Sequence, residues 1–466
     1  MPAASPTLSF SEGTLILKGI ARKDLLAAFG PEPWVWDGRV GAWRCDAMHY
    51  AAAEERLRRA NHSCDDQVAG WQSVQWPRVE IHRLRAEQKA AVEAWTAGSG
   101  GLIVMPTGTG KTEVALSIMA RTAVSTLVVA PVRDLMYQWH RRILAGLGYD
   151  AGIVGDNVFR VRPVSVTTYD SACIHMEKFG NQFGLIVFDE CHHLPGRIRR
   201  DAARMSAAPR RLGLTATPER SDGRHAELPA LIGPTVYEMP ISAAKGQTLA
   251  DYEIVRIPVH LSAEEQARYK ELSRQVQEYM NERRETDAEF TWEDLCEETG
   301  KTPAARRVLR AYFAKKSIED RAEEKLRVLE DLFRLHVGEP CMVFAGSNAM
   351  ARDVARRFLI PCLLSHCGKH ERLEILQGLE DGSYPALVAN RVLDEGVDLP
   401  EVKVAVVIGG TASSRQAKQR LGRILRKSGN ARAVLYEVVS AGTNEERRSR
   451  RRRDSDAYQG TRHRRV

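Results

Sequence analysis

The sequence has no long hydrophobic run. Its longest, Leu102–Met105 and Val404–Ile408, fall far short of the ~18 residues that cross a bilayer, so composition excludes a spanning helix. It has no C-x-x-C pair either. The eight cysteines (Cys45, Cys64, Cys173, Cys191, Cys296, Cys341, Cys362 and Cys367) are scattered through 466 residues, a length that needs no covalent staples. Buried free thiols are expected, not a disulfide framework. Met1–Phe10 holds no basic segment followed by an apolar one, so a secretory leader is not expected and a cytoplasmic location is. What is present is an ordinary globular balance, 43% hydrophobic and 27% charged, with length for about three domains.

The net charge of +8 points to an anionic partner, but its distribution qualifies the hint. Residues 441–466 hold nine arginines against four acids, so +5 of the total lies there and +3 is left for the other 440 residues. Nucleic-acid binding by the body of the chain must therefore come from local patches. The tail, nearly devoid of apolar residues, reads as a disordered segment, either simply solvated or in contact with nucleic acid or a partner.

Five segments follow from the patterning. Residues 1–75 open with alternating stretches around Glu12-Gly13, a hairpin signal, and continue into Asp46–Arg59, an amphipathic helix. Trp34, Trp36 and Trp43 flank the turn Asp37-Gly38 and serve either core packing or base stacking. Residues 76–244 alternate apolar runs (102–104, 126–129, 164–167, 185–188, 212–215) with helical stretches, the mark of a parallel sheet covered on both faces. A second set (341–344, 386–388, 402–408, 433–436) defines another such unit over 319–440. Between them, 245–318 is a charged insert with a capping box at Ser262 and Glu265 and a helix start at Thr302-Pro303. Its acids (Glu285 to Glu298) precede its bases (Lys301 to Lys316), so Arg306 and Arg310 either hold phosphates or pair with the acidic half. Residues 441–466 form the tail.

The chemistry starts at Met105-Pro-Thr-Gly-Thr-Gly-Lys-Thr112, placed between a strand and a helix. Thr107, Gly108, Thr109 and Gly110 form a loop whose backbone N–H groups can face phosphate oxygens; Lys111 reaches the β- and γ-phosphates and Thr112 ligates Mg²⁺. Met105 stands where the strict pattern has its first glycine. At the end of the apolar run 185–188, Asp189 is the metal partner and Glu190 the candidate base for water. The neighbouring His192-His193 do not make a zinc site, because adjacent histidines rarely reach one ion together. Arg420, Arg423 and Arg426, at three-residue spacing, lie near one helical face, where Arg423 and Arg426 can serve as fingers on a transferring phosphate.

Taken together these residues resemble a superfamily 2 helicase of the DExH type across roughly residues 80–440. Arg85-Ala-Glu-Gln88 is similar to the adenine-recognising glutamine motif, Met105–Thr112 to motif I, Ala130–Trp139 to motif Ia, Asp189–His192 to motif II, Leu214–Thr217 to motif III, Val388–Asp398 to motif V and Gln419–Arg426 to motif VI. Within that superfamily the chain resembles the XPB helicases in their compact prokaryotic form, through Val166–Ala172, Asp189–Pro195, Asp222–His225 and Arg420–Arg426. The resemblance implies an α/β fold with two RecA-like parallel-sheet lobes, a small α+β N-terminal domain similar to a damage-recognition domain, and a helical thumb-like insert. It implies ATP and Mg²⁺ as cofactors, DNA, single-stranded or forked, as partner, 3′ to 5′ movement in repair or transcription, and a repair nuclease or the transcription machinery as companion. Arg85 and Gln88 would then contact the nucleotide, and Arg133, Gln138, Thr167, Thr168, Arg220 and Asp222 the DNA. The family's R-E-D triplet reads Arg220-Ser221-Asp222 here, which bears on strand separation. Three alternatives stay open: a duplex translocase that does not separate strands, an ATP-gated damage-binding scaffold, and an RNA-directed helicase.

Overall fold

The computed structural model describes residues 5–29, 33–59, 64–98, 100–220, 222–240, 252–364, 366–390, 402–409, 433–453 and 463–465. The described chain forms two units, 1–241 and 242–466, each with its own parallel sheet.

The first unit begins with a five-stranded sheet. Strands Thr7–Ser11 and Thr14–Lys18 pair antiparallel around Glu12 and Gly13, both at positive φ (49° and 75°), the geometry of the two-residue turn that matches strand twist. Strands Ala42–Asp46 and Val35–Asp37 extend the sheet to one edge, and helix Tyr50–Arg59 buries Tyr50, Ala53 and Leu57 against it. This small domain is docked on the following one. Ala207 joins its core, Arg204 bonds Asp46 at 2.8 Å, and a Cβ at Gly13 would come within 2.5 Å of Met205. Trp34 belongs to that core, whereas Trp36 is 53% exposed.

The eight-stranded sheet of the first unit runs in the order Thr235–Glu238, Gly100–Val104, Arg210–Thr215, Leu185–Asp189, Thr126–Ala130, Val164–Thr168, Gly152–Gly155, Val158–Arg160. All pairs but the last are parallel. The five central strands are almost wholly buried, as their continuous apolar runs predict. Register aligns Val104 with Thr215, Leu214 with Asp189, and Ala130 with Thr168, so the motif-bearing loops leave from one edge, the carboxyl ends of the strands.

The second unit holds a seven-stranded parallel sheet, Cys362–Leu363, Ala386–Ala389, Cys341–Ala345, Val404–Ile408, Ala433–Ser440, Tyr252–Val259, His463–Arg465. Two expectations change here. Residues 252–259, placed in the insert from their charge, are a full strand beside 433–440, because Ile254, Val255 and Val259 are buried in this sheet's interior. The tail, expected to be disordered, contains helix Asn444–Arg453 with Glu445 and Ser449 fully buried, and strand His463–Arg465. Polar partners hold what apolar surface could not. Glu445 pairs with Lys325 at 2.7 Å, both inaccessible to solvent, and also accepts from the Ser440 N–H; Ser449 donates to Glu437 at 2.7 Å.

The helical insert follows its sequence signals. Ser262 and Glu265 close a capping box on helix Ala263–Thr286, and Thr302 caps helix Pro303–Arg321. The acidic stretch pairs through Glu298 with Arg283. Arg306 and Arg310 stay exposed and make no ion pair among the described residues, so of the two readings for them, pairing with the acids is not the one realised. No helix among the described residues is long and apolar enough to cross a membrane.

Candidate nucleotide site

The loop after strand Gly100–Val104 enters helix Lys111–Thr122 through two left-handed glycines, Gly108 (φ 83°) and Gly110 (φ 81°). At Gly110 the reason is also steric: a Cβ there would lie 2.3 Å from Nε2 of Gln88. The buried Gln88 side chain donates to the Thr109 carbonyl at 2.9 Å and accepts from the Arg85 N–H at 2.8 Å, while the Arg85 guanidinium donates to the same Thr109 carbonyl at 2.6 Å. Arg85 and Gln88 therefore brace the loop backbone. The Thr109 hydroxyl donates to the Pro106 carbonyl at 2.7 Å, and Lys111 Nζ lies on the Met105 carbonyl at 3.1 Å. Thr112 is partly exposed in the first helical turn, and the Thr107 hydroxyl is buried with no hydrogen-bond partner among the described residues.

Asp189 ends the strand two places across the sheet. Its Oδ2 accepts from the Trp139 indole N–H at 2.8 Å and its Oδ1 from the Glu190 backbone N–H at 3.0 Å. Burial, then the adjacent Glu190 charge, push its carboxyl above the usual range, while Trp139 and Lys111 oppose the shift. Glu190 sits in the left-handed region (φ 46°), uncommon for a side chain of this kind; its buried Oε2 makes no hydrogen bond among the described residues and lies 3.5 Å from Nδ1 of His192. Two adjacent buried carboxylates beside a braced phosphate loop fit a metal-bound polyphosphate and its attacking water.

A further chain of contacts runs to motif III. His192 is fully buried; its Nδ1 lies 3.0 Å from the Thr215 hydroxyl, which donates to the Thr217 carbonyl and accepts from the Thr217 N–H, both at 3.1 Å. Arg220 donates to the His192 carbonyl at 2.7 Å and grips Asp222 with Nε and a terminal nitrogen at 2.9 and 2.6 Å. The Arg220 guanidinium holds the Asp222 carboxyl well below the ordinary range.

The proposed DNA contacts fare unevenly. Arg133 lies on the surface, paired with Asp156 at 2.7 Å, and Gln138 is half-buried on the same helix, Arg133–Leu147. Thr167 is fully buried and its hydroxyl donates to the Val154 carbonyl at 2.7 Å, in a strand whose every residue is buried. Thr168, at 7% exposure, caps helix Tyr169–Phe179 by accepting from the Ser171 N–H. Ser221, Arg423, Arg426 and all of motif V after Asn390 lie outside the described residues. Sequence reasoning missed Trp139 and Tyr169, whose hydroxyl donates to the Asp189 carbonyl at 3.0 Å; both look like core aromatics in the chain, and only the sheet brings them to Asp189.

Comparison with known proteins agrees with this geometry. Residues 81–220 match the model for the type III restriction enzyme res subunit, 324–428 the helicase conserved C-terminal domain, and 8–68 the xeroderma pigmentosum group B helicase damage recognition domain. The DNA 3′-5′ translocase XPB2 of Sulfurisphaera tokodaii is 38% identical over 421 residues, spanning 90% of this chain and 95% of that protein. The chain belongs to the XPB helicase family. The DNA 3′-5′ helicase XPB of Kineococcus radiotolerans is 31% identical over 81% of this chain, which spans 63% of that longer XPB. Solved helicases share the fold. The Pyrococcus furiosus Hef helicase domain superposes with a TM-score of 0.52 at 18% identity, covering 78% of this chain and 97% of that one. Saccharomyces cerevisiae Dbp5, bound to RNA and ADP BeF3, superposes at 0.55 and 15% identity, covering 83% and 90%. Like other XPB proteins, the chain is built as an ATP-dependent enzyme on two RecA-like lobes.

Proposed function

We propose that this chain is a cytoplasmic, ATP- and Mg²⁺-dependent motor that moves 3′ to 5′ on DNA and opens duplexes in repair or transcription. The observation that carries the reading is the meeting of a phosphate loop turned by two left-handed glycines with the two carboxylates Asp189 and Glu190 at one sheet edge. Gly108, Gly110 and the N-terminus of helix Lys111–Thr122 present backbone N–H groups to phosphates, and Lys111 exchanges its loop carbonyls for phosphate oxygens. Thr112 and Asp189 would hold Mg²⁺, which supplies charge neutralisation on the β- and γ-phosphates. Glu190 orients the attacking water and takes its proton. The His192 ring, with Nδ1 3.5 Å from Glu190 Oε2 and 3.0 Å from the Thr215 hydroxyl, links the base to motif III. By family resemblance Arg423 and Arg426 stabilise the transferring phosphate, and Arg133 and Gln138 contact the DNA backbone, a salt-sensitive and sequence-independent mode.

One observation favours a second reading, translocation along duplex without strand separation. Three of the five N–H donors of the Arg220 guanidinium go to Asp222 and the His192 carbonyl, so the arginine of the Arg-Ser-Asp triplet is drawn toward the site and away from a strand junction. Steady-state ATP hydrolysis with Mg²⁺ at low salt, compared without nucleic acid and with single-stranded DNA, forked DNA and RNA, tests the motor reading. Stimulation by DNA that Lys111→Ala abolishes supports it; turnover indifferent to nucleic acid overturns it. Displacement from a forked substrate then separates the two readings.

A further inference from the structure

The helical insert has a small core of its own, Phe290, Leu295, Ala305 and Val308 packed against Val276 and Met280, which makes its helices one body. Its attachment to the sheet of the second unit is polar. Near the start of helix Ala263–Thr286, the Tyr269 hydroxyl donates to Oε1 of Glu319 at 2.8 Å, close to the end of helix Pro303–Arg321. The other carboxylate oxygen of Glu319 accepts from Arg448 of helix Asn444–Arg453 at 2.5 Å, and the Asn444 N–H donates to the Tyr269 oxygen at 3.0 Å. The Glu319 backbone carbonyl accepts from Lys325 Nζ at 2.7 Å and from the hydroxyl of Ser440, the last residue of strand Ala433–Ser440, at 3.0 Å.

Glu319 is 1% exposed, and its two carboxylate oxygens are held by side chains 50 and 129 residues away in the chain. Filling that space does not require a carboxylate, since an apolar side chain would fill it without loss of hydration. The surrounding charges are of both signs. Lys315 lies over the Tyr269 ring at 5.4 Å, Lys325 pairs with Glu445, and Asp320 is buried next to Glu319 in the chain. An apolar joint lets helices slide by small steps; a buried, charged one has a single satisfied arrangement, because any displacement leaves a charge without its partner.

We propose that Glu319 is a positioning residue that ties the insert to the sheet of the second unit through the C-terminal helix, so that the insert follows that sheet as one piece and the stroke of the ATPase reaches DNA. The joint serves movement and takes no part in hydrolysis; none of its residues belongs to the phosphate loop or to motif II. The inference rests on the DNA-motor reading above and names the part that transmits its force.

The test uses the full chain on a duplex carrying a third strand, whose displacement reads movement along duplex whether or not the two strands separate. Tyr269→Phe removes one hydroxyl and leaves the ring, Arg448→Met removes the ion pair, and Arg448→Lys keeps a charge in its place. Amide hydrogen exchange should quicken about tenfold in the insert helices next to Glu319, the worth of one hydrogen bond to a charged group. Strands Cys341–Ala345 and Val404–Ile408 should stay as protected as in the wild type, which verifies the fold. DNA-stimulated ATP hydrolysis should be unchanged, while third strands displaced per ATP fall about tenfold in Arg448→Met and less in Tyr269→Phe and Arg448→Lys. Unchanged exchange, an unchanged displacement ratio in variants with faster exchange, or hydrolysis falling in step with displacement would overturn the proposal. The wild type separates this from failure of the reading beneath it: if the wild type displaces no third strand, the DNA-motor reading falls and the proposal with it.

Discussion

The indole N–H of Trp139 donates to Oδ2 of Asp189 at 2.8 Å, joining a helix that starts at Arg133 to the end of the strand that carries motif II. The bond orients a buried carboxylate and favours its ionised form, against the burial and the Glu190 charge that push its pKa up. Trp139 is thus a positioning residue acting through Asp189.

Trp139→Phe keeps the ring and removes the bond. The Asp189 carboxylate then loses a donor that orients it toward Mg²⁺, so kcat should fall about tenfold, the usual cost of a hydrogen bond to a charged group, and the Mg²⁺ concentration for half-maximal rate should rise. Mg²⁺ titrations of ATP hydrolysis by both proteins check this; an unchanged Mg²⁺ dependence contradicts it.

Glu190→Gln preserves size at the strained φ of 46° and removes the base. Hydrolysis is expected to fall by about 10²- to 10³-fold while ATP still binds. Binding of a fluorescent nucleotide beside single-turnover hydrolysis separates the two effects, and equal loss of both counts against the role assigned to Glu190.

Lys325 and Glu445 form a fully buried ion pair at 2.7 Å, with the ammonium also donating to the Glu319 carbonyl. Lys325→Met strands the Glu445 carboxylate and should cost about 3–5 kcal/mol; adding Glu445→Leu should restore much of it, since an apolar pair needs no desolvation of charge. Urea denaturation of the single and double variants measures both. Removal of residues 441–466 should likewise destabilise the second unit, contrary to what a solvated tail would do.

Asp320 is 3% exposed, and its Oδ1 is buried without a hydrogen-bond partner among the described residues. Burial raises its pKa to about 6, with Lys325 opposing and Glu445 adding to the shift. Its folded value lies above its unfolded one, so the folded state holds the extra proton between them: stability is fully present at low pH and is lost as pH rises through about 6. Asp320→Asn should therefore be more stable than the wild type at about pH 8, by roughly 2 kcal/mol, with the advantage shrinking near pH 4. Denaturation midpoints at the two pH values test it; a constant difference would contradict it.

Much of the site was legible because its signals are local. The loop Met105–Thr112 needs only glycines at fixed offsets between a strand and a helix, and the hairpin at Glu12-Gly13 and the caps at Ser262 and Thr302 are equally short-range. The surroundings of Thr167 and Thr168 were not legible in the chain, because their strand is buried on both faces and each hydroxyl finds a partner that only the fold supplies. The strand Tyr252–Val259 was hidden because its partner, Ala433–Ser440, lies some 180 residues on.

The amino-acid sequence by itself determined the parallel-sheet class, the phosphate loop and the strand-end carboxylates, each written in period or spacing, and its motifs carried the resemblance to the family. The tertiary structure alone decided which groups serve those carboxylates. Trp139, 50 residues from Asp189, reaches it only because helix and strand pack on one sheet edge, and Glu445 finds Lys325 across 120 residues because burying either charge unpaired is too costly to persist. Long-range pairing of this kind depends on burial, and burial is a property of the folded chain.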